Sequence, residues 1–204
     1  FADRGGSGLH VNFSLQDKAG NNAMYDASAS DGLSGLAKHC IAGMIEHHAG
    51  MAAVCAPTVN AYKRLRPAQL AGYWANWGYD HRGVTVRVPH ERGKATRLEH
   101  RMSDGAANPY LCTAAVLQTA RLGWVNQLPA PTPEEQDCLS SQSTDKHVPN
   151  DLNLALDAFE ADTEFVQAIG ADFAAQFTAT KRAEWEKFTA AVTDWELRYY
   201  LPFL

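Results

Sequence analysis

In Arg97-Leu98-Glu99-His100-Arg101-Met102, two arginines flank a carboxylate at two-residue spacing. Alternate residues of an extended strand point to opposite faces, so Arg97, Glu99 and Arg101 share one face and Leu98, His100 and Met102 the other. Such a face suits a site that holds an anion and a metal ion together. Guanidinium groups grip phosphate or carboxylate in a bidentate way, and a carboxylate is a ligand for Mg2+ or Mn2+. The wider stretch from Arg82 to Arg101 carries Arg82, Arg87, Arg92, Lys94, Arg97 and Arg101 against Glu91 and Glu99, a local balance of +4 in a chain of net charge -5. So concentrated a charge is a local device, not a general property of the surface.

A second polar face lies near the start of the chain. Leu9, Val11, Phe13 and Leu15 alternate with His10, Asn12 and Ser14, the period of a strand with one face in the core. A neutral imidazole and a carboxylate can share a divalent cation, which makes His10 and Glu99 a candidate metal pair. Two ligands do not complete a site, and from spacing alone the commoner account is a surface histidine and a salt-bridged glutamate. Arg64, Arg82, Arg87, Arg97 and Arg101 are candidate clamps for phosphates or carboxylates, although scattered arginines more often make structural ion pairs. Gly5-Gly6-Ser7-Gly8 lacks the Lys-Ser/Thr ending of a phosphate loop and precedes a strand, so a Walker-type reading fails. Its glycines still allow the backbone to approach a small ligand closely.

The elements that must position these groups follow from periodicity. Val84, Val86 and Val88 alternate with Thr85 and Arg87 as a second strand, and residues 96–102 form a third. Leu33 to Cys55 carries apolar residues mostly at three- and four-residue steps and reads as one helix, with Ser30 or Asp31 as its cap. Residues 57–82 read as irregular. Asn108-Pro109 opens a helix that runs to about Trp124. Residues 129–150 read as a polar linker, and residues 151–204 as short helices broken near Gly170. His39, His47 and His48 are expected to be structural, His81 less firmly so beside the arginines, and Trp185, Trp195 and Tyr199 to belong to the core. The expected fold is α+β: an antiparallel sheet whose polar face presents His10, Asn12, Ser14, Arg87, Arg97, Glu99 and Arg101, backed by helices and followed by a helical carboxyl-terminal region.

At 204 residues with 46% hydrophobic and 20% charged side chains, the chain has the composition of a globular domain. No apolar run is long enough to span a bilayer, no secretory leader is evident, and no membrane partner is expected. Cys40, Cys55, Cys112 and Cys138 are widely spaced, without a Cys-x-x-Cys pair, and read as buried free thiols of a reducing cytoplasm. A nucleic-acid partner is excluded: the net charge is negative, and the basic residues alternate with an acid without an aromatic stacking platform.

Several of these segments together resemble the glutamine synthetase superfamily. Phe1 to Leu15 (FADRGGSGLHVNFSL) is similar to a signature near the middle of those enzymes. Asn60-Ala-Tyr-Lys-Arg-Leu65, Asn76-Trp-Gly-Tyr-Asp-His-Arg82, Val86-Arg-Val-Pro89, and Leu98-Glu-His-Arg101 followed by Ala107-Asn-Pro-Tyr110 recur in order. The resemblance implies an ATP-dependent carboxylate–amine ligase that phosphorylates the γ-carboxylate of glutamate and lets an amine or ammonia displace phosphate from γ-glutamyl phosphate. By the same resemblance His10 and Glu99 are Mg2+ or Mn2+ ligands, and Gly6, Arg64 and Arg101 bind glutamate. Asn12, Ser14 and Lys94 lie along the nucleotide, Arg97 faces its phosphates, and Arg82 and Arg87 face them as catalytic groups. Residues 1–128 then form the carboxyl-terminal part of the catalytic domain, 129–150 a linker and 151–204 a helical region of the same domain.

Departures refine this expectation. Asn12 stands where a second histidine is usual, and Leu70 replaces an acid that handles ammonium, which makes room for a larger or apolar amine. The Asn76-Trp-Gly motif is closer to γ-glutamyl-amine ligases. Residues 129–150 contain no tyrosine, so the nucleotidylation known in some members has no target there. The chain begins at Phe1, inside the family's catalytic domain, and lacks the strands that supply most metal-binding glutamates, so alone it is expected to be inactive. Its full-length parent is expected to be a cytoplasmic, ring-shaped homo-oligomer. The competing expectation is a catalytically inactive structural or assembly module of the same fold.

Overall fold

The computed structural model describes residues 6–203; Phe1–Gly5, the start of the glycine-rich motif, and Leu204 lie outside the described residues. Four short strands form one sheet: β1 (Val11–Phe13), β2 (Trp77–Tyr79), β3 (Val86–Val88) and β4 (Leu98–His100), in the order β1-β4-β3-β2. The three expected strands are present, and β4 pairs antiparallel with both β1 and β3. One expectation needs correction. The region 57–82 is not wholly irregular, since it holds a short helix, α3 (Ala61–Arg64), as well as β2. The expected antiparallel sheet is extended by β2, which runs parallel to β3. In β2 the run Trp77-Gly78-Tyr79 shows no polar–apolar alternation, so periodicity did not reveal it.

The helix expected over 33–55 is divided at His47 into α1 (Gly35–Glu46) and α2 (His48–Cys55). At the break His47 Nδ1 donates to Asp162 Oδ2 at 2.8 Å. Ser34, not Ser30 or Asp31, caps α1 by accepting from the Ala37 N–H. Helix α2 is buried around nearly its whole circumference, Met51, Ala52, Ala53 and Cys55 each at 0% exposure, so it is the central helix. As expected, Asn108 caps α4 (Pro109–Val125), accepting from the Tyr110 and Leu111 N–H groups, with Pro109 at the first helical position.

The carboxyl-terminal residues form α5 (Leu152–Ala161), α6 (Thr163–Ile169), α7 (Ala171–Ala190) and α8 (Asp194–Tyr200), and the chain does break at Gly170, where φ is +106°. Helix α5 packs on α2, α6 on α4 and α7 on α5, so this region adds to the helical layer and not to the sheet. Trp195 and Tyr199 do not join the core as expected: they stack on each other at 4.9 Å and are 59% and 56% exposed. Only Trp185 packs against the core. The four cysteines are buried and free, in agreement with their spacing. Among the described residues no helix is long and apolar enough to cross a membrane.

Residues 129–150 run along the outer edge of β2. Glu134 N–H donates to Trp77 O at 2.7 Å, Trp77 Nε1 to Pro131 O at 2.7 Å, Ala75 N–H to Lys146 O at 3.0 Å and Val148 N–H to Tyr73 O at 2.9 Å. These bonds cover an edge that would otherwise present unpaired backbone groups.

Two features of the core carry consequences. Helices α1 and α4 cross at Gly43 and Gly123, where a Cβ on Gly43 would lie 2.1 Å from Thr119 O and 2.6 Å from Gly123 N. Backbone cannot yield as a flexible side chain can, so Gly43→Ala is expected to lower the free energy of unfolding by about 2–3 kcal/mol or more. Gly35→Ala, at the open start of α1, should leave it unchanged or higher, and chemical denaturation of both variants checks the contrast. The second feature is a pair of buried neutral histidines. Burial pushes the His48 imidazole down to about 4 and His100 down to about 3. Folding therefore favours their neutral forms, a contribution fully present above the unfolded value near 6.5 and lost as the pH falls from there towards 4. Each adds a slope of about 1.4 kcal/mol per pH unit in that window, so the thermal midpoint should fall steeply between pH 6.5 and 4.5. Replacing His48 with Gln should flatten the decline.

Candidate active site

The register of the sheet builds the site. Asn12 of β1 and Arg87 of β3 are both paired with Glu99 of β4, so the three residues form one row across three strands and project to the same face. Behind them Leu98 and His100 are fully buried, as the alternation requires.

Glu99 is the hub. Its side chain is 6% exposed, yet its carboxylate meets three partners: Oε1 lies 2.9 Å from His10 Nδ1 and 2.8 Å from an Arg101 guanidinium nitrogen, and Oε2 lies 2.6 Å from Arg87. Burial alone would raise the carboxyl's pKa, but the hydrogen bond from Arg87 and the charges of Arg101 and Arg87 outweigh it and hold Glu99 ionised below the usual range. Burial and Arg101 together hold His10 below the ordinary histidine value, against the pull of Glu99. A neutral imidazole beside an ionised carboxylate is the protonation state that metal ligation needs.

Arg64, from α3, is held from behind. Its Nε donates to Asp104 Oδ2 at 3.2 Å and one terminal nitrogen to Met102 O at 2.7 Å. A cleft of about 820 Å³, lined by Gly6, Ser7, Asn60, Lys63, Arg64 and Asp104 among others, opens beside it. The glycine loop permits this approach: a Cβ on Gly6 would stand 2.6 Å from Arg64 Cδ, and one on Gly8 would stand 3.6 Å from His10 Nε2 and 3.7 Å from the other terminal nitrogen of Arg64. The cleft and the Glu99 cluster therefore adjoin at Gly8.

The remaining candidates are dispersed around this centre. Asn12, Ser14, Arg82 and Lys94 are exposed, and their side chains take no hydrogen bond among the described residues. Arg97 pairs at 3.1 Å with Glu91 on the surface and not with Glu99. The histidines expected to be structural are so: His39 bonds Leu128 O, His48 bonds Tyr73 O and His81 bonds Gln136 O. Two acids escaped the sequence reading, Asp104 behind Arg64 and Asp80 behind Arg87. Asp104 sits three residues past Arg101 and Asp80 seven before Arg87, spacings with no periodic signature, so only the folded loops bring them into contact.

Two cis ligands of an octahedral divalent cation with bonds of about 2.1 Å stand about 3.0 Å apart. His10 Nδ1 and Glu99 Oε1 stand 2.9 Å apart, so the pair fits one edge of such a sphere. Among the described residues no group of three His, Cys, Asp or Glu side chains could hold a metal ion, so the pair supplies two ligands and no more. Arg87 Nε and Arg101 Nε are buried without a partner among the described residues.

Comparison with known proteins agrees with this geometry. Residues 1–200 match the glutamine synthetase catalytic domain. The chain is 35% identical over 202 residues to the glutamine synthetase of Thermotoga maritima and 38% identical to that of Thermus thermophilus; each alignment covers 96% of this chain and 46% or 45% of the relative. The chain thus spans about half the length of the curated relatives it matches. A solved structure described as "Apo GmaS without ligand" superposes with a TM-score of 0.87 at 36% identity, covering 98% of this chain and 46% of that one. Another, "GmaS/ADP complex-Conformation 1", gives 0.87 at 35% identity over 99% of this chain and 47% of that one. With a match that extends from Phe1 to Tyr200, this chain belongs to the glutamine synthetase family.

Proposed function

We propose that the protein carrying this sequence joins an amine to the γ-carboxylate of glutamate at the expense of ATP. The observation that carries the proposal is the ionised Glu99, held among His10, Arg87 and Arg101 and adjoining the Arg64 cleft. A carboxylate is a poor acyl electrophile, so the reaction runs in two displacements. A γ-carboxylate oxygen attacks the terminal phosphorus of ATP, the bond to ADP breaks, and γ-glutamyl phosphate forms. The amine nitrogen then attacks the acyl carbon, the C–O bond to phosphate breaks, and the nitrogen loses a proton.

In this reading Arg64 and Arg101, with the Gly6 backbone, grip the carboxylates of glutamate, and Asp104 fixes the angle of the Arg64 guanidinium. Arg82 and Arg87 face the transferred phosphate, where guanidinium donors stabilise charge that develops in the transition state. Arg97, Lys94, Asn12 and Ser14 lie along the nucleotide. His10 and Glu99 would hold Mg2+ or Mn2+, which supplies Lewis-acid polarisation of phosphate oxygens when bound. The described residues supply two ligands, so the remaining ones are expected from beyond them, and the chain by itself is not expected to turn over. The protein works in the cytoplasm as a ring-shaped homo-oligomer; the apolar side chains that α8 leaves exposed, Trp195 and Leu197 among them, suit a contact between copies.

The amine is organic. By the sequence resemblance Leu70, 49% exposed on the loop after α3, stands where relatives carry an acid that handles ammonium, so hydrocarbon replaces that charge. With glutamate, ATP and Mg2+, the full-length protein is expected to turn over methylamine or a longer alkylamine at least about tenfold more efficiently than ammonium, the order of discrimination an apolar pocket provides. A clear preference for ammonium refutes this. Glu99→Gln is expected to weaken the apparent affinity for Mg2+ or Mn2+ by at least about tenfold, measured by titrating the metal at saturating ATP and glutamate.

A further inference from the structure

We propose that Arg87 and a divalent cation compete for Glu99, and that Asp80 is the positioning residue that retains Arg87 when a cation takes its place. The proposal rests on the reading of His10 and Glu99 as metal ligands given above.

Arg87 lies between two carboxylates. One terminal nitrogen reaches Glu99 Oε2 at 2.6 Å, and the other pairs with Asp80 Oδ1. The two acids differ in setting. The Glu99 side chain is 6% exposed and shared with His10 and Arg101, whereas Asp80 is 52% exposed. Among the described residues Arg101 has no comparable second acid: its side chain is 8% exposed and its ion pair is with Glu99. A cation arriving beside His10 and Glu99 adds positive charge to a carboxylate that already carries two guanidinium groups. Arg87 is the partner able to move, because Asp80 keeps its charge compensated outside the buried cluster.

The backbone supports this role. Asp80 adopts φ +48°, a left-handed conformation uncommon for residues with a side chain but tolerated by Asp and Asn. Its N–H donates to Val88 O at 2.9 Å, which fixes the turn against the end of β3, one residue beyond Arg87. The turn is also held from outside, because a Cβ on the neighbouring Gly83 would lie 2.7 Å from Cys138 Cβ. Asp80 is therefore presented to Arg87 by a rigid turn. Released from Glu99, Arg87 keeps one anchor and has a free edge for an anionic ligand, which couples cation arrival to phosphate binding.

The test measures Mn2+ binding to the full-length protein without nucleotide, by calorimetry or by the electron paramagnetic resonance of free Mn2+. Arg87→Gln removes the competing charge and should tighten Mn2+ binding about tenfold, while Asp80→Asn should weaken it about three- to fivefold. Asparagine keeps the left-handed backbone, and Asp80→Gly serves as a second variant should the first fold poorly. In the Arg87→Gln background, Asp80→Asn should change the affinity less than about twofold, because its effect travels through Arg87. Equal weakening in both backgrounds overturns the proposal, since Asp80 would then act through space. Unchanged Mn2+ affinity in Arg87→Gln overturns it as well. His10→Ala distinguishes the two levels: if it leaves Mn2+ binding intact, the metal reading itself falls and this inference with it, whereas if it weakens binding while the Arg87 and Asp80 variants match the parent, only the present inference falls.

Discussion

A carboxylate that folding leaves 5% exposed has to be neutralised by the protein itself, and Glu99 is that carboxylate. An ionised group removed from water without compensation costs several kcal/mol, more than half the net stability of many domains. The sheet answers the requirement by register. Strand β1 brings His10 to Glu99, β3 brings Arg87, and β4 itself returns Arg101 two residues later. A slip of one residue in either pairing would turn the partners to the opposite face and leave the charge buried alone. The hydrogen-bond ladder and the ion cluster thus specify each other.

Around that hub the molecule is arranged to resist deformation. The reverse face of β4 rests on a core that includes Met44, Met51 and Met102, all fully buried. On the outer edge, Glu134 accepts from Asn76 Nδ2, from Ser143 N–H and from Ser143 Oγ, and so ties residues 129–150 to the start of β2. Asn76 in turn reaches Thr85 N–H before β3. His81 bonds Gln136 O from the turn that carries Asp80 and Arg82. The same segment that covers the sheet edge therefore braces the loop that presents Asp80 to Arg87, and a site held this way loses little energy to reorganisation when a ligand arrives.

Particular residues explain what could be read from the chain. The alternation of Leu98, His100 and Met102 with Arg97, Glu99 and Arg101 identified the inner and outer faces of β4, because the two-residue period of a strand is local geometry. The caps at Asn108 and the break at Gly170 were legible for the same reason. Strand β2 was not, since Trp77-Gly78-Tyr79 has no alternating polarity and exists by pairing with β3. The division of the first helix at His47 depends on Asp162, more than a hundred residues away. Trp195 and Tyr199 have the spacing of a core stripe but no described element lies over them, so helical period alone could not distinguish a buried face from an exposed one.

What the sequence by itself determined is the chemical kit and its local pointing: which strands carry arginine, histidine and glutamate, and on which face each lies. Only the tertiary structure decided which of those groups meet. It set Arg87 and Arg101 on Glu99 while sending Arg97 to Glu91, placed Asp104 behind Arg64 and Asp80 behind Arg87, and opened the cleft at the glycine loop. The physical reason is that side-chain direction follows from backbone period within a few residues, whereas ion pairing depends on separations of about 3 Å between groups that chain connectivity leaves far apart.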